Sequence, residues 1–156
     1  MAQEQLPRDE AIDFLTQETV GHLATCDPAG HPYITPLNYV YHQGKIYFHC
    51  APEGRKLDNL AANTRVCFEV SRIDKTIFGP VACACSTRYT SVLVFGTAGV
   101  VEDIARKIEI LNALTEKFAA GRPFHPLNAK AAARCTVVEI AVASIHGKRN
   151  VDPKAD

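Results

Sequence analysis

The chain has 156 residues with 17 Lys+Arg, 17 Asp+Glu and six histidines, so it lacks the net basic charge that a nucleic-acid binder uses against phosphates. Hydrophobic residues make up 47% and charged residues 22%, which excludes disorder and suits one domain, 1–156, with a sizeable core. Apolar stretches such as Val137 to Ile145, broken by Glu139, fall far short of the ~20 residues that cross a bilayer. The start, MAQEQLPRDEAIDF, carries acids where a secretory signal has a basic end and an apolar core. No membrane partner and a cytoplasmic location are therefore expected, where six cysteines read as small buried hydrophobes, thiolates or metal ligands rather than disulfides.

In chain order, Arg8 to Thr16 reads as a short helix behind Pro7, with Ala11, Ile12, Phe14 and Leu15 on its apolar side, placed to cover one end of a barrel. From Thr19 the pattern becomes β-rich. VGHLATC, the turn DPAGHP, YITPLNYVY, the turn HQGK and IYFHC form a meander of three strands. Glu53 to Asn63 places Leu57, Leu60 and Ala61 at helical spacing, and the strand RVCFEVS follows. After a Gly- and Pro-containing passage at Phe78 to Val81, CACSTRYTSVLVFGTAGVV predicts one long strand or a bent pair, with Gly96 and Gly99 permitting the bend. Asp103 to Phe118 carries an apolar stripe through Ile104, Ile108, Leu111, Leu114 and Phe118, capped by Asp103 and stopped by Gly121. A helical patch LNAKAAAR, a last strand CTVVEIAVASI and a basic, solvated ending HGKRN complete the chain.

Six or so strands at short spacing, joined by hairpin turns, predict a mainly β (α+β) fold: a small, closed or nearly closed, six-stranded antiparallel β-barrel with peripheral helices. Side chains fill a barrel of this size, so a larger ligand must sit outside it, against a second subunit.

The segment IYFHCAPEGRKLDNLAAN carries the first chemical signal. A strand ending at His49 and Cys50 runs through a short loop into a helix whose first turn holds Gly54, Arg55 and Lys56. Unpaired amide N–H groups, a glycine and two cations outline an anion site. Cys83 and Cys85, two apart on an expected strand, share a face and read as packing residues rather than part of a zinc site. His22, His31, His42, His125 and His146 have weaker claims to chemistry, lying in the first strand, two turns, a Pro-rich loop and the tail.

Across residues 20 to 120 the sequence resembles the pyridoxamine 5′-phosphate oxidase-like flavin-binding split barrels, and within them the nitroimidazole-resistance branch. The resemblance rests on IYFHCAPEGRK and on Cys83-x-x-Ser86-x-x-Tyr89-x-Ser91-Val92, followed by Phe95-Gly96. It implies a homodimer with FMN at the subunit interface and the cofactor phosphate on Arg55 and Lys56. Thr35, Pro36, Leu37 and Asn38 would run along the flavin ring, His49 would face it as the candidate catalytic residue, and Tyr89 and Ser91 would reach the cofactor or its neighbourhood, from the same chain or from the partner subunit. The activity it implies is NAD(P)H-dependent reduction of a small nitroaromatic acceptor; a flavin or haem carrier or sensor is the alternative. True pyridoxamine phosphate oxidases carry a C-terminal tryptophan and arginine segment. This chain has no tryptophan, so vitamin oxidation is not expected, and Lys148 and Arg149 read as solvated charges.

Overall fold

A computed structural model describes residues 2–152; the last four residues of the expected tail lie outside them. The elements are β1 (Ala2–Leu6), α1 (Arg8–Gln17), β2 (Val20–Cys26), β3 (Pro32–Asn38), β4 (Val40–His42), β5 (Lys45–Cys50), α2 (Arg55–Ala62), β6 (Arg65–Ile77), β7 (Ser86–Val100), α3 (Ile104–Ala119), α4 (Ala129–Ala132) and β8 (Thr136–Val151). Eight antiparallel strands make one sheet in the order β3-β2-β6-β7-β8-β5-β4, with β1 added along β8. This is the expected split barrel with eight strands rather than six.

The two extra strands have identifiable causes. YITPLNYVY is not one strand: Tyr39 turns fully inward between β3 and β4, donates from its hydroxyl to Leu15 O at 2.6 Å, and meets Phe68 edge-on at 5.0 Å. Burial pushes the Tyr39 phenol pKa up. Because β3 and β4 are opposite ends of the sheet order, this corner carries the chain from one edge to the other and so helps to close the barrel. The second is β1, whose partner is the supposed tail: His146 to Asn150 lie near the end of β8, all paired with β7, and Gly147 to Asn150 paired with β1 as well. Gly147 permits this, since an added Cβ would meet Leu6 Cβ at 2.8 Å.

Turn chemistry sets the hairpins. The Asp27 carboxylate accepts from the N–H groups of Ala29 at 3.0 Å and His31 at 2.9 Å, and Gly30 takes φ +89° between them. Those bonds, led by that from His31, hold the Asp27 carboxyl below its ordinary pKa. Gln43 and Gly44, at φ +50° and +79°, supply the left-handed pair of a tight β4–β5 turn. At Gly96 an added Cβ would strike the Ala141 carbonyl, and the β7–β8 register shifts there.

The interior is apolar: Leu23, Ile46, Phe48, Phe68, Val70, Val92, Val94 and Ile140 are fully buried, with Ala11, Phe14 and Leu15 of α1 closing one end. Lys117 also lies there, its ammonium donating to Glu18 O and sitting 4.2 Å from the Tyr39 ring centroid. Burial lowers its pKa to about 8. A second apolar layer forms outside the barrel, where Ile110, Leu111 and Leu114 of α3 and Ala132 of α4 cover Val40, Tyr47 and Val137. Asp103 caps α3 by accepting from Arg106 N at 2.7 Å, and Ala120, with φ +50°, ends it just before Gly121. No described helix is long and apolar enough to cross a membrane.

Candidate functional site

The start of α2 gathers features that can hold an anion. Gly54 adopts φ +132°, a conformation that disfavours other residues, and no side chain caps the helix. Its carbonyl takes Leu57 N at 2.8 Å and Asp58 N at 3.2 Å, while Arg55 is exposed and Lys56 half-buried beside it. The helix is pinned from below. Buried Asn59 donates from Nδ2 to Thr25 Oγ1 at 2.9 Å, Leu60 enters the core, and the Arg55 guanidinium stacks 5.0 Å from the Tyr33 ring centroid. Such anchoring places two cations and the positive end of a helix on one rigid corner.

Strand β5 leads into that corner with alternating faces. Ile46 and Phe48 point into the barrel, whereas Tyr47 and His49 point outward. His49 is exposed and lines a cavity of about 610 Å³ with Asn38. The remaining wall is mostly apolar, from Leu111, Leu114 and Phe118 of α3 and from Phe124 and Leu127 beyond it. Arg122 also reaches this cavity, but its guanidinium donates to Ala119 O at 2.9 Å and Phe118 O at 3.3 Å, closing off the end of α3. The next residue, Cys50, has its thiol pKa pushed up by burial against the opposing pull of Lys56.

Below His49, a part-buried polar cluster ties α3 to the sheet. Tyr47 donates from its hydroxyl to Glu139 Oε2 at 2.7 Å and accepts from Arg106 Nη2 at 2.6 Å; Lys45 also donates to Glu139 at 2.6 Å. Burial alone would raise the Glu139 carboxyl pKa, yet the bonds from Lys45 and Tyr47 outweigh it and hold it low. The cavity wall is thus positioned by charged hydrogen bonds as well as by apolar packing.

The pleat of β3 divides the four residues expected along a flavin. His22 pairs with Pro36 and Val20 with Asn38 on the outer face, whereas buried Leu23 pairs with Thr35 and Gly21 with Leu37 on the inner one. Pro36 and Asn38 can present side chains to a ligand outside the barrel; Thr35 and Leu37 can present only backbone. The Thr35 hydroxyl is buried and makes no hydrogen bond.

Tyr89 and Ser91 lie elsewhere on the outer face. The row Pro36, His22, Glu69, Leu93, His146 runs in register across five strands, so β7 stands three strand spacings, about 14 Å, from β3. Ser91 donates to Glu69 Oε1 at 3.3 Å, and His22 Nδ1 lies 3.1 Å from Glu69 Oε2. Ser91 opens onto a smaller recess of about 280 Å³ with Leu93, His146 and Lys148. The exposed Lys148 ammonium is 5.9 Å from the Tyr89 ring centroid, and Arg149 is held by Glu4 at 3.0 Å and Glu10 at 2.8 Å, so both belong to β8 rather than to a loose tail and Arg149 is not a free solvated charge. One protomer therefore brings His49 together with Asn38, holds Arg55 and Lys56 at the adjoining corner, and keeps Tyr89 and Ser91 apart from both.

Two readings of the sequence change. Cys83 and Cys85 do not share a strand face: Ala82–Ala84 form a 3-10 turn and both cysteines are exposed. The helix α3, whose apolar stripe alone is evident in the sequence, walls the cavity. Apolar Phe124 and Leu127 in the loop after Gly121 were the available signal, since a purely solvated loop has no use for them.

A family model described as pyridoxamine 5′-phosphate oxidase matches residues 7–149. No curated protein matches the chain. Among solved structures, a proposed 5-nitroimidazole antibiotic resistance protein from Bacteroides thetaiotaomicron superposes with a TM-score of 0.80 at 22% identity, covering 96% of this chain and 89% of its own. The FAD and heme binding protein from Mycobacterium smegmatis gives 0.84 at 22% identity, over 100% and 77%. The flavocytochrome Anf3 from Azotobacter vinelandii gives 0.81 at 22% identity, over 99% and 72%.

Proposed function

The chain belongs to the pyridoxamine 5′-phosphate oxidase family, and from that premise we propose that it is an FMN-dependent oxidoreductase, working as a homodimer and passing electrons from NAD(P)H to small nitroaromatic acceptors. The observation that carries the reading is the continuity of β5 into α2: His49 opens onto an apolar cavity, and Arg55 and Lys56 follow at an uncapped helix start. These residues fit a flavin phosphate. The donor set is cationic, Gly54 leaves open space where a Cβ would stand, and the cavity is mostly apolar, as a flat aromatic ring or acceptor requires.

When bound, FMN supplies the two-electron exchange between donor and acceptor. The residues of the chain do the rest. Arg55 and Lys56 neutralise the phosphate, and the amide N–H groups of the first turn of α2 orient it. Pro36 and Asn38 border the ring through their side chains, Thr35 and Leu37 through their backbone. Leu111, Leu114 and Phe118 exclude water from the acceptor, and the His49 imidazole orients it and can give it a proton. Tyr89 and Ser91 join the same site only from a second protomer, because about 14 Å of sheet separates them from β3 within one chain. The relatives that carry FAD or heme in their names favour keeping a carrier or sensor as the second reading.

An absorption spectrum of the protein as purified, with mass analysis of the released ligand, tests the cofactor. Two near-visible flavin bands support the reading; a Soret band favours the carrier. The phosphate assignment is tested by titrating Arg55→Ala/Lys56→Ala with FMN. Two charge-assisted contacts of about 1.5 to 3 kcal/mol each predict a loss of roughly two to four powers of ten in affinity. An unchanged Kd in a folded double variant removes both residues from the site.

A further inference from the structure

Strands β6 and β7 run past the barrel. Partner β2 accompanies β6 only at Cys67 to Glu69, and β8 accompanies β7 only from Tyr89 onward. Lys75 to Ile77 therefore pair with Ser86 to Arg88 and with no third strand, after a register shift between Ile73 and Lys75. From the Ser71–Ser91 pair to the Ile77–Ser86 pair the ribbon extends about 20 Å. A two-stranded ribbon in water is marginal without cover. This one is braced at its root by Asp152, which accepts from Arg88 at 2.8 Å and Lys75 at 3.3 Å.

The tip, residues 78–85, contains no charged residue. It is folded on itself: Ala84 N donates to Val81 O at 2.9 Å, Cys85 N to Ala82 O at 3.1 Å, and the backbone of Gly79 packs so closely on Ala84 that a Cβ would collide. That order turns Phe78 and Val81 outward, 88% and 63% exposed, making Phe78 the most exposed large hydrophobic residue among those described. A rigid apolar projection of this kind marks a contact surface.

The same chain carries a matching receptor. The cavity beside His49 is walled by Phe118, Phe124 and Leu127, and Arg122, already bonded to backbone carbonyls, is its one Arg or Lys. The tip and the cavity match in polarity, one apolar and the other mostly apolar. Under a two-fold axis each copy offers both, so the contact closes on itself. It is also continuous with the interface through which Tyr89 and Ser91, at the root of the same ribbon, reach the other protomer.

We propose that the β6–β7 tip, through Phe78 and Val81, enters the cavity beside His49 of a second copy of this chain, so that each acceptor pocket is completed by its partner. The inference rests on the dimeric reading above but not on the flavin. Its acceptor class follows: with Phe78 as one wall, the pocket takes flat aromatic molecules and excludes bulky or branched ones.

The test replaces Phe78 with the photo-cross-linking residue p-benzoylphenylalanine, in an equal mixture of ¹⁴N- and ¹⁵N-labelled protein. Irradiation should yield a covalent species of twice the chain mass whose mixed-isotope cross-linked peptide joins position 78 to residues 111–127. Cross-links within one chain, to another surface, or absent from a protein that sediments as a dimer or as a monomer overturn the proposal. So does capture of the tip by phosphatidylcholine–phosphatidylglycerol vesicles in place of the chain–chain product. In parallel, Phe78→Asp should weaken dimerisation at least 10-fold in sedimentation equilibrium while circular dichroism stays unchanged; an unaltered dimer constant also overturns it. A cross-link in flavin-free protein leaves the arm in place and sinks only the cofactor reading, whereas flavin binding without the cross-link does the reverse.

Discussion

The barrel and the arm are made from the same two strands, yet different forces hold them. In the first half of β6, Val66, Phe68 and Val70 are buried against the core, and β2 and β7 flank the strand. In the second half, Arg72 to Thr76 are all exposed, one neighbour remains, and the side-chain contacts are polar: ion pairs of Arg72 with Asp74 and Glu18, ion pairs of Lys75 and Arg88 with Asp152, and a hydrogen bond from Thr90 to Asp74. The β6–β7 ladder runs through both halves, whereas the β2–β6 ladder stops at Glu69. The difference shows that strand length does not define the core: pairing continues where apolar burial has stopped, and exposed ion pairs contribute little there.

The sharpest way to break this comparison is to truncate one phenylalanine in each half of the ribbon. Phe68→Ala removes a fully buried ring that packs edge-on to Tyr39, and its loss should cost about 3 to 5 kcal/mol in urea unfolding. Phe78→Ala, at the exposed tip, should change the stability of a single protomer by less than about 0.5 kcal/mol. Comparable losses would mean that the tip is packed within its own chain.

A smaller effect separates the faces of β5. His49→Ala should leave the urea midpoint and FMN binding near wild type, because Phe48 rather than His49 enters the core. Stopped-flow kinetics should then show acceptor reduction slowed about 10²-fold, the lower range for general acid catalysis. An unaltered acceptor rate in flavin-loaded variant protein returns His49 to a structural role.

The smallest expected effect lies in the charges. Lys117 is half-buried at the barrel end with a pKa lowered to about 8, and burial is the cause. Between there and the ordinary lysine value near 10.4 the unfolded chain binds more protons than the folded one, so stability rises with pH across that window. Lys117→Met should flatten that part of the stability profile relative to wild type. Parallel profiles for the two proteins would show that the ammonium is solvated.

Much of the β content was legible because local chemistry and fold agree. The alternation of VGHLATC matches its buried face, DPAGHP and HQGK form the predicted turns, and Asp103 caps α3. Strand number was misjudged where side-chain pattern and pairing part company. Charged HGKRN is a strand because Gly147 admits Leu6 above it and Arg149 finds Glu4 and Glu10, partners more than a hundred residues away in sequence. Tyr39 breaks a β-rich run because its hydroxyl bonds to Leu15 O across the barrel end.

For the candidate site, the sequence by itself determined the local motif: a strand ending at His49 and Cys50, then a glycine and two cations at a helix start, with His49 to Arg55 spanning seven residues and Lys56 beside it. Such signals are local, since residue type and short spacing dictate helix ends and backbone conformation. Only the tertiary structure decided the rest. Pairing register set Thr35 and Leu37 inside and Pro36 and Asn38 outside, packing of α3 on Tyr47 and Val137 created the cavity, and register along β8 put Tyr89 and Ser91, opposite Asn150 and Lys148, far from His49, opposite Val137. These depend on which distant segments become neighbours, and a one-residue change in register would exchange the two faces without altering the local motif.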